Sequence, residues 1–265
     1  MKRFTDRNCL SFWGDKEMRL EAAHLLDQAD AVLKTESKQV TPFLSFAMRD
    51  WAETVLRKES LELRAEGGFP EAERVRIIIG TRGETFNFTD ADISLLWVQS
   101  LGTNAQLEHR QILGSLIGLG LKRDVLGDIY TVQGGCFIAV AAEIASYVLE
   151  HWKQAGRDKI DVSIYNGTPD VFLDTGEKRR ITVNSSRIDA ILANAFGVSR
   201  TTAKEWIVQG KIRRNGLVVS KAEAEVQSGS IISCRGQGRI KLLESSFTRK
   251  ERTAWQIILY RSQRH

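Results

Sequence analysis

The chain has 265 residues, 42% hydrophobic and 27% charged, which suits two or three globular domains and excludes a wholly disordered chain. Its three cysteines, Cys9, Cys136 and Cys234, are far apart with no CxxC pair, and its four histidines do not cluster, which argues against a disulfide framework or a zinc site. The net charge of +5 conceals a polarity, since from Lys178 onward there are 18 Lys/Arg against 6 Asp/Glu and before it 20 against 27, so the basic C-terminal end points to a polyanionic partner.

In chain order, Met1-Lys2-Arg3 is followed by Arg7, Asp15 and Lys16, which interrupt any apolar signal segment. No run approaches the ~18 apolar residues of a membrane helix. A cytoplasmic protein without membrane insertion is expected. Residues 1–72 read as a helical region. Met18, Ala22, Leu25, Leu26, Ala29 and Leu33 recur at helical spacing and predict a helix over 15–34. Thr41-Pro42 predicts a cap and first helical residue for a second helix over 43–60. Gly67-Gly68-Phe69-Pro70 closes the region with a turn.

The period then changes. Residues 74–80 and 93–100 read as strands by β-branched content, and 109–121 as a helix. Residues 129–133 and 137–141 flank Gly134-Gly135 as a hairpin. A helix over 142–154 and a strand over 159–165 follow. The order ββαββαβ predicts a central α/β sandwich over 73–173, with helices on one face of an antiparallel sheet. Asp174–Arg180 reads as a polar, basic linker.

From Asn184 to Glu244 the pattern is two short helices, a basic strand, an Asn215-Gly216 turn and a closing strand that ends in Arg235-Gly-Gln-Gly-Arg239. Ser186 is the expected cap of the first helix and Ser199 of the second, with Gly197 and Gly210 as their stops. Capped helix starts beside Arg187 and Arg200 are suitable for phosphate. Thr202 and Lys204 fall on the exposed flank of the second helix. Lys211, Arg213 and Arg214 follow it, and Arg235 and Arg239 are expected close to them, so these cations converge on one small surface. Arginine suits phosphate geometry, and few exposed aromatics point to structured RNA read by shape and not to stacked single strands.

Those residues resemble an S4 domain, carried by S-x-R-I-D, then F-G-V-S-R-T-T-A-K-E-W-I-V-Q-G-K-I-R-R-N-G and S-G-S-I-I-S-C-R-G-Q-G-R. Upstream, Gly67–Arg76, His109–Gly114, Gly118–Arg123 and Gly127-Asp128-Ile129 resemble the bacterial YlmH family of S4-domain proteins. The resemblance implies an α+β chain with a helical N-terminal part (1–72) and a central RRM-like α/β sandwich (73–173). A C-terminal S4 (αL-type) domain (181–245) and a strand extension (246–265) complete it. It implies a non-enzymatic role without cofactors. The implied partners are structured RNA (rRNA, with tRNA a further candidate) and the large ribosomal subunit, in quality control of stalled translation. No DNA partner is expected, and the free protein is expected to be a monomer.

Carried over residue by residue, the implied RNA contacts are Arg187, Ser199, Arg200, Thr202, Lys204, Lys211, Arg213, Arg214, Asn215, Arg235 and Arg239. Arg110, Lys122 and Arg123 mark a candidate second RNA surface. Two positions depart from the family pattern. Ser230 replaces the usual aspartate before the closing strand, which weakens a turn contact, and Phe46 replaces a proline common after Phe-Leu-Ser.

Two other classes remain open on sequence grounds. An S4-linked enzyme would need further motifs. Ser186-Arg187-Ile188-Asp189 lies inside the S4 module, and Gly114, Gly118 and Gly120 fall within or just after a helix, not in a nucleotide-binding loop. Glu108, His109 and Arg110 lack a nucleophile or metal set to partner them, and Asp128 is expected to fix a turn. A protein-interaction adaptor, with the acidic N-terminal portion binding protein and the S4 module supplying location, is the remaining alternative.

Overall fold

The computed structural model describes residues 7–57, 61–69, 72–102, 107–167, 176–248 and 252–261. The chain divides into two compact units, Met1–Phe172 and Leu173–His265.

In the first unit, Asp15 accepts a bond from the Met18 amide at 3.0 Å and starts α1 (Lys16–Thr35), which buries Ala22, Leu25, Leu26, Ala29 and Val32 at helical spacing. The chain then runs extended through β1 (Gln39–Val40). Thr41 is not a helix cap. Its Oγ1 accepts from the Ile77 amide at 2.8 Å, because this segment is already paired with a strand. The cap is Ser45, and α2 (Phe46–Leu56) follows. Phe46 therefore stands at the first helical position, the one proline favours.

β2 (Leu61–Glu66) and β3 (Arg76–Thr81) complete a sheet of order β1-β3-β2. The N-terminal region is thus helices packed on a small sheet. The strand expected near residues 74–80 belongs here, paired with β1 and β2. Alternation in Leu-Glu-Leu-Arg-Ala-Glu puts Leu61, Leu63 and Ala65 against the helices, while the helix-forming Leu, Glu and Ala mask the strand in the sequence.

The central domain contains β4 (Ile93–Ser100), α3 (His109–Gly118), β5 (Leu126–Val132), β6 (Gly135–Ala141), α4 (Ala142–His151), β7 (Gln154–Ala155) and β8 (Asp158–Ile164). Its sheet order is β5-β6-β4-β8-β7 and every pairing is antiparallel. This is the split βαβ layout of the RRM-like expectation. One sheet face packs Leu96, Val98, Ile138 and Val140 against α3 and α4. The opposite face packs Leu95, Phe137, Ala139 and Ala141 against Phe43, Phe69, Ala72 and Val75 of the preceding region.

Asp128 ties these parts together and does more than close a local turn. Its carboxylate accepts from the amides of Glu73 at 2.6 Å and Arg74 at 3.3 Å. The Arg74 guanidinium in turn donates to the carbonyls of Leu126 (2.9 Å) and Phe43 (2.6 Å). The neighbouring Gly127 must be glycine, since a Cβ would lie 2.8 Å from both the Phe43 ring and Ala139.

The second unit contains β9 (Glu177–Val183), α5 (Ile188–Phe196), α6 (Arg200–Val208), β10 (Ile212–Arg214), β11 (Leu217–Val218), β12 (Ile231–Cys234), β13 (Gly238–Phe247) and β14 (Thr253–Arg261). They form one antiparallel sheet of order β11-β10-β12-β13-β14-β9, with both helices on its inner face. The linker expectation fails for residues 177–180, which are strand, and residues 174 and 175 lie outside the described residues. In the stretch expected as a C-terminal strand extension, β14 pairs with both β13 and β9. Charges on an edge strand guard it against foreign pairing, so the run Glu-Lys-Arg-Arg reads as linker while Ile181 and Val183 of the same strand enter the core.

Burial pushes the Asp128 carboxyl up to about 6, against the pull of the Arg74 amide bond and of Arg123 and Arg74. A pKa raised by folding favours the fold below the unfolded value of ~3.9, and that contribution is lost as pH rises through about 6. In urea unfolding, Asp128→Ala should cost ~1–3 kcal/mol because it strands buried amides. Asp128→Asn should cost less and should remove this pH dependence.

Candidate nucleic-acid interface

The second unit's helix starts differ from each other. Ser199 caps α6, accepting from the Thr202 amide at 3.0 Å. The N-cap of α5 is Arg187 and not Ser186, and no side chain caps it. Its leading amides, Ile188 and Asp189, donate to the carbonyls of Ala224 (2.9 Å) and Ala222 (3.3 Å). Those donors, expected to face phosphate, are consumed by the loop before β12. Gly197 and Gly210 end the helices with φ of +70° and +65°.

Between the two helix starts lies Asp189, whose side chain has no exposed surface. Arg200 Nη2 donates to its oxygens at 2.8 and 2.7 Å, and Arg187 Nε and Nη2 at 3.2 and 3.3 Å. Burial opposes ionisation of this carboxyl, but the bonds from Arg200 and then Arg187 prevail and hold it below the usual carboxylate range. The Arg200 and Arg187 side chains remain 50% and 35% exposed. A guanidinium has five N–H donors, so Asp189 orients both without exhausting them.

The other expected contacts divide between two sides of the sheet. On the helix side, Arg187, Lys204 and Lys221 rim an open hollow of ≈ 340 Å³ lined by Ile207, Val208 and Ala222. Lys221 carries no signal in the sequence, since it sits in an irregular Lys-Ala-Glu-Ala-Glu loop whose docking on α5 needs the fold. Lys211 and Arg235 are exposed neighbours at one end of the sheet, joined by a 3.0 Å bond from the Arg235 amide to the Lys211 carbonyl.

Arg213 is exposed and donates to the Gly216 carbonyl at 2.9 Å. Arg214, one residue on and therefore on the opposite face, is half-buried and donates to the Glu225 carbonyl at 2.6 Å. Asn215 and Gly216, with φ of +50° and +83°, form the expected turn. Asn215 is also bound twice to Ile231, through its amide and its Oδ1, each at 2.8 Å. The guanidinium of Arg239 lies 4.2 Å from the centre of the Tyr260 ring.

Of the candidate second surface, Arg110 and Lys122 are exposed. Arg123 is a brace, since its Nη1 donates to the carbonyls of Leu126 and Gly127 at 3.0 Å each. Burial, then the charge of Arg74, push it down to about 10. RRM sheets bind RNA by stacking bases on aromatics of the middle strands. On the corresponding face here Phe43 and Phe69 cover part of the sheet, while Trp97 and Tyr165, with ring centres 4.6 and 4.9 Å from that of Phe137, remain half-buried.

Burial pushes the Cys136 and Cys234 thiols up to about 12 and about 11, which makes them poor nucleophiles at neutral pH. Among the described residues, no His/Cys/Asp/Glu group could hold a metal ion. No helix among them is long and apolar enough to cross a membrane.

Two short helices on the inner face of an antiparallel sheet, with a basic Asn-Gly hairpin, define an S4-domain protein, and residues 186–232 match the S4 domain model. Residues 17–83 match the model "YlmH, N-terminal" and residues 87–168 the model "Putative RNA-binding domain in YlmH". The chain is 30% identical over 229 residues to "Ribosome-associated protein quality control protein P2" of Bacillus subtilis (strain 168), covering 84% of this chain and 87% of that protein. It belongs to the YlmH family. A solved structure, "Cell division protein ylmH from Streptococcus pneumoniae", shares the fold at a TM-score of 0.50 and 21% identity, over 58% of this chain and 93% of that one.

Asp189→Asn should cost about 2–3 kcal/mol in urea unfolding at neutral pH, less than for a pair buried at both ends, because both guanidiniums are partly hydrated. A folded pKa below the unfolded ~3.9 gives stability that is present above that value and lost as pH falls through the folded one. The variant should therefore show a flatter acid limb than the parent in unfolding measured against pH.

Proposed function

We propose that this protein binds structured RNA of the large ribosomal subunit through its S4 unit and serves, without catalysis, in cytoplasmic quality control of stalled translation. The observation that carries this reading is the concentration of 18 Lys/Arg against 6 Asp/Glu from Lys178 onward on a unit that presents Lys204, Lys211 and Arg235 to solvent. The relative whose printed name places it in ribosome-associated quality control supports the setting. A tRNA held beside the same surface is a further candidate partner.

Phosphate contacts of this kind give affinity and orientation with little base selectivity, as expected for RNA read by shape. Arg187 and Arg200, held by Asp189, are already oriented, so ordering them on binding costs less side-chain entropy. The portion before Lys178 carries 20 basic against 27 acidic residues, so charge favours the S4 unit as the main RNA grip.

The test is filter binding of the full chain to protein-free large-subunit rRNA across a salt series. Changing Lys204, Lys211 and Arg235 together to Ala should weaken binding roughly tenfold or more and reduce the salt slope by ~2–3, one unit for each lost phosphate contact. Parental affinity and slope in that variant would overturn the assignment.

A further inference from the structure

The six-stranded sheet has a second face, opposite the helices, and its composition follows from strand alternation. The core takes Ile181 and Val183 from β9, Ile240 and Leu242 from β13, Ile257 and Leu259 from β14, and Ile212 from β10. The alternate positions therefore point outward, and they include Lys178, Arg180, Arg213, Arg239, Lys241 and Tyr260. Register places Arg213, Ser233, Arg239 and Tyr260 in one row across four strands. The next row holds Ile231, Lys241, Ile258 and Lys178. Arg180 lies one outward position further along β9, opposite Gln256.

We propose that this outer face is a second RNA interface, binding the phosphate backbone of a structured RNA segment distinct from the one met on the helix side. The inference rests on the RNA-binding reading above and extends it to Lys178, Arg180 and Lys241. Three physical features carry it. First, no outward ladder position on these strands is Asp or Glu; the nearest carboxylate in β13, Glu244, lies in the bulge between Leu242 and Ser245.

Second, cations two strands apart in a row are ~10 Å from one another and those two residues apart along a strand are ~7 Å. A lattice on that scale meets successive phosphates and not a single anion. Ile258, between Lys178 and Lys241 in its row, is only 5% exposed, as expected where long side chains cover an apolar neighbour and hold their charges at the surface.

Third, the single outward aromatic, Tyr260, already carries the Arg239 guanidinium on its ring at 4.2 Å. The face therefore offers charge and a planar cation and has no row of open rings for stacked bases, which favours duplex backbone over single strand. β9 and β14 create it, since without them Arg239 and Lys241 would lie on the last strand of a smaller sheet.

The experiment uses the full chain, protein-free large-subunit rRNA and intact large subunits. Lys178, Arg180 and Lys241 are changed together to Gln, which keeps the side-chain stems, with thermal unfolding checked against the parent; single Gln variants serve if the triple variant melts early. The expected result is rRNA binding weakened roughly tenfold or more and a salt slope lower by ~2–3. Loss in the Lys204/Lys211/Arg235 variant with parental affinity and slope in the Gln variant would overturn this inference and leave the proposed function standing. Parental behaviour in both would remove both. If the Gln variant binds rRNA normally but no longer sediments with intact subunits, the outer face meets a ribosomal protein and the RNA assignment is wrong.

Discussion

A carboxylate with no exposed surface needs partners, and Asp189 obtains them from both helices of the S4 unit. Arg187 reaches it from the start of α5 and Arg200 from the start of α6. The same helix start receives the loop before β12 through the Ile188 and Asp189 amides. One ion cluster thus ties the two helix starts together, beside the seat of the loop and the hollow rimmed by Lys204 and Lys221. Two arginines that resemble plain phosphate ligands are in the first place structural, and their usefulness to an RNA follows from being held.

The sheet imposes the second constraint. Closing β9 and β14 onto the S4 strands ties the beginning and end of the unit into one layer. The helices cover one side of it, which leaves the alternate residues of every strand on the other. In the first unit one face of the RRM-like sheet is packed by its helices and the other is partly covered by Phe43, Phe69 and Val75, with Trp97 and Tyr165 left half-buried.

Much of this was legible in the sequence where a short-range rule governs it. Helical spacing located α1, α5 and α6, and Asn215-Gly216 located its hairpin to the residue, since both positions need positive φ. What the sequence hid depends on distant partners. Thr41 has the chemistry of a cap, but β3 claims its hydroxyl. Leu61–Glu66 has helix-forming composition and strand periodicity, and pairing with β3 decides between them. Glu177–Arg180 looks like a linker because edge strands carry charge. At the site, residue type identified the cations, but which face each occupies depends on register, and the tie between Arg187, Arg200 and Asp189 depends on packing.

The central claim, that RNA is met by the S4 unit, is tested most directly by ultraviolet crosslinking of the full chain to large ribosomal subunits, with the crosslinked peptides identified by mass spectrometry. Crosslinks should concentrate in the peptides spanning 199–214 and 235–241. Crosslinks concentrated in residues 87–168, with none from the S4 unit, would contradict it.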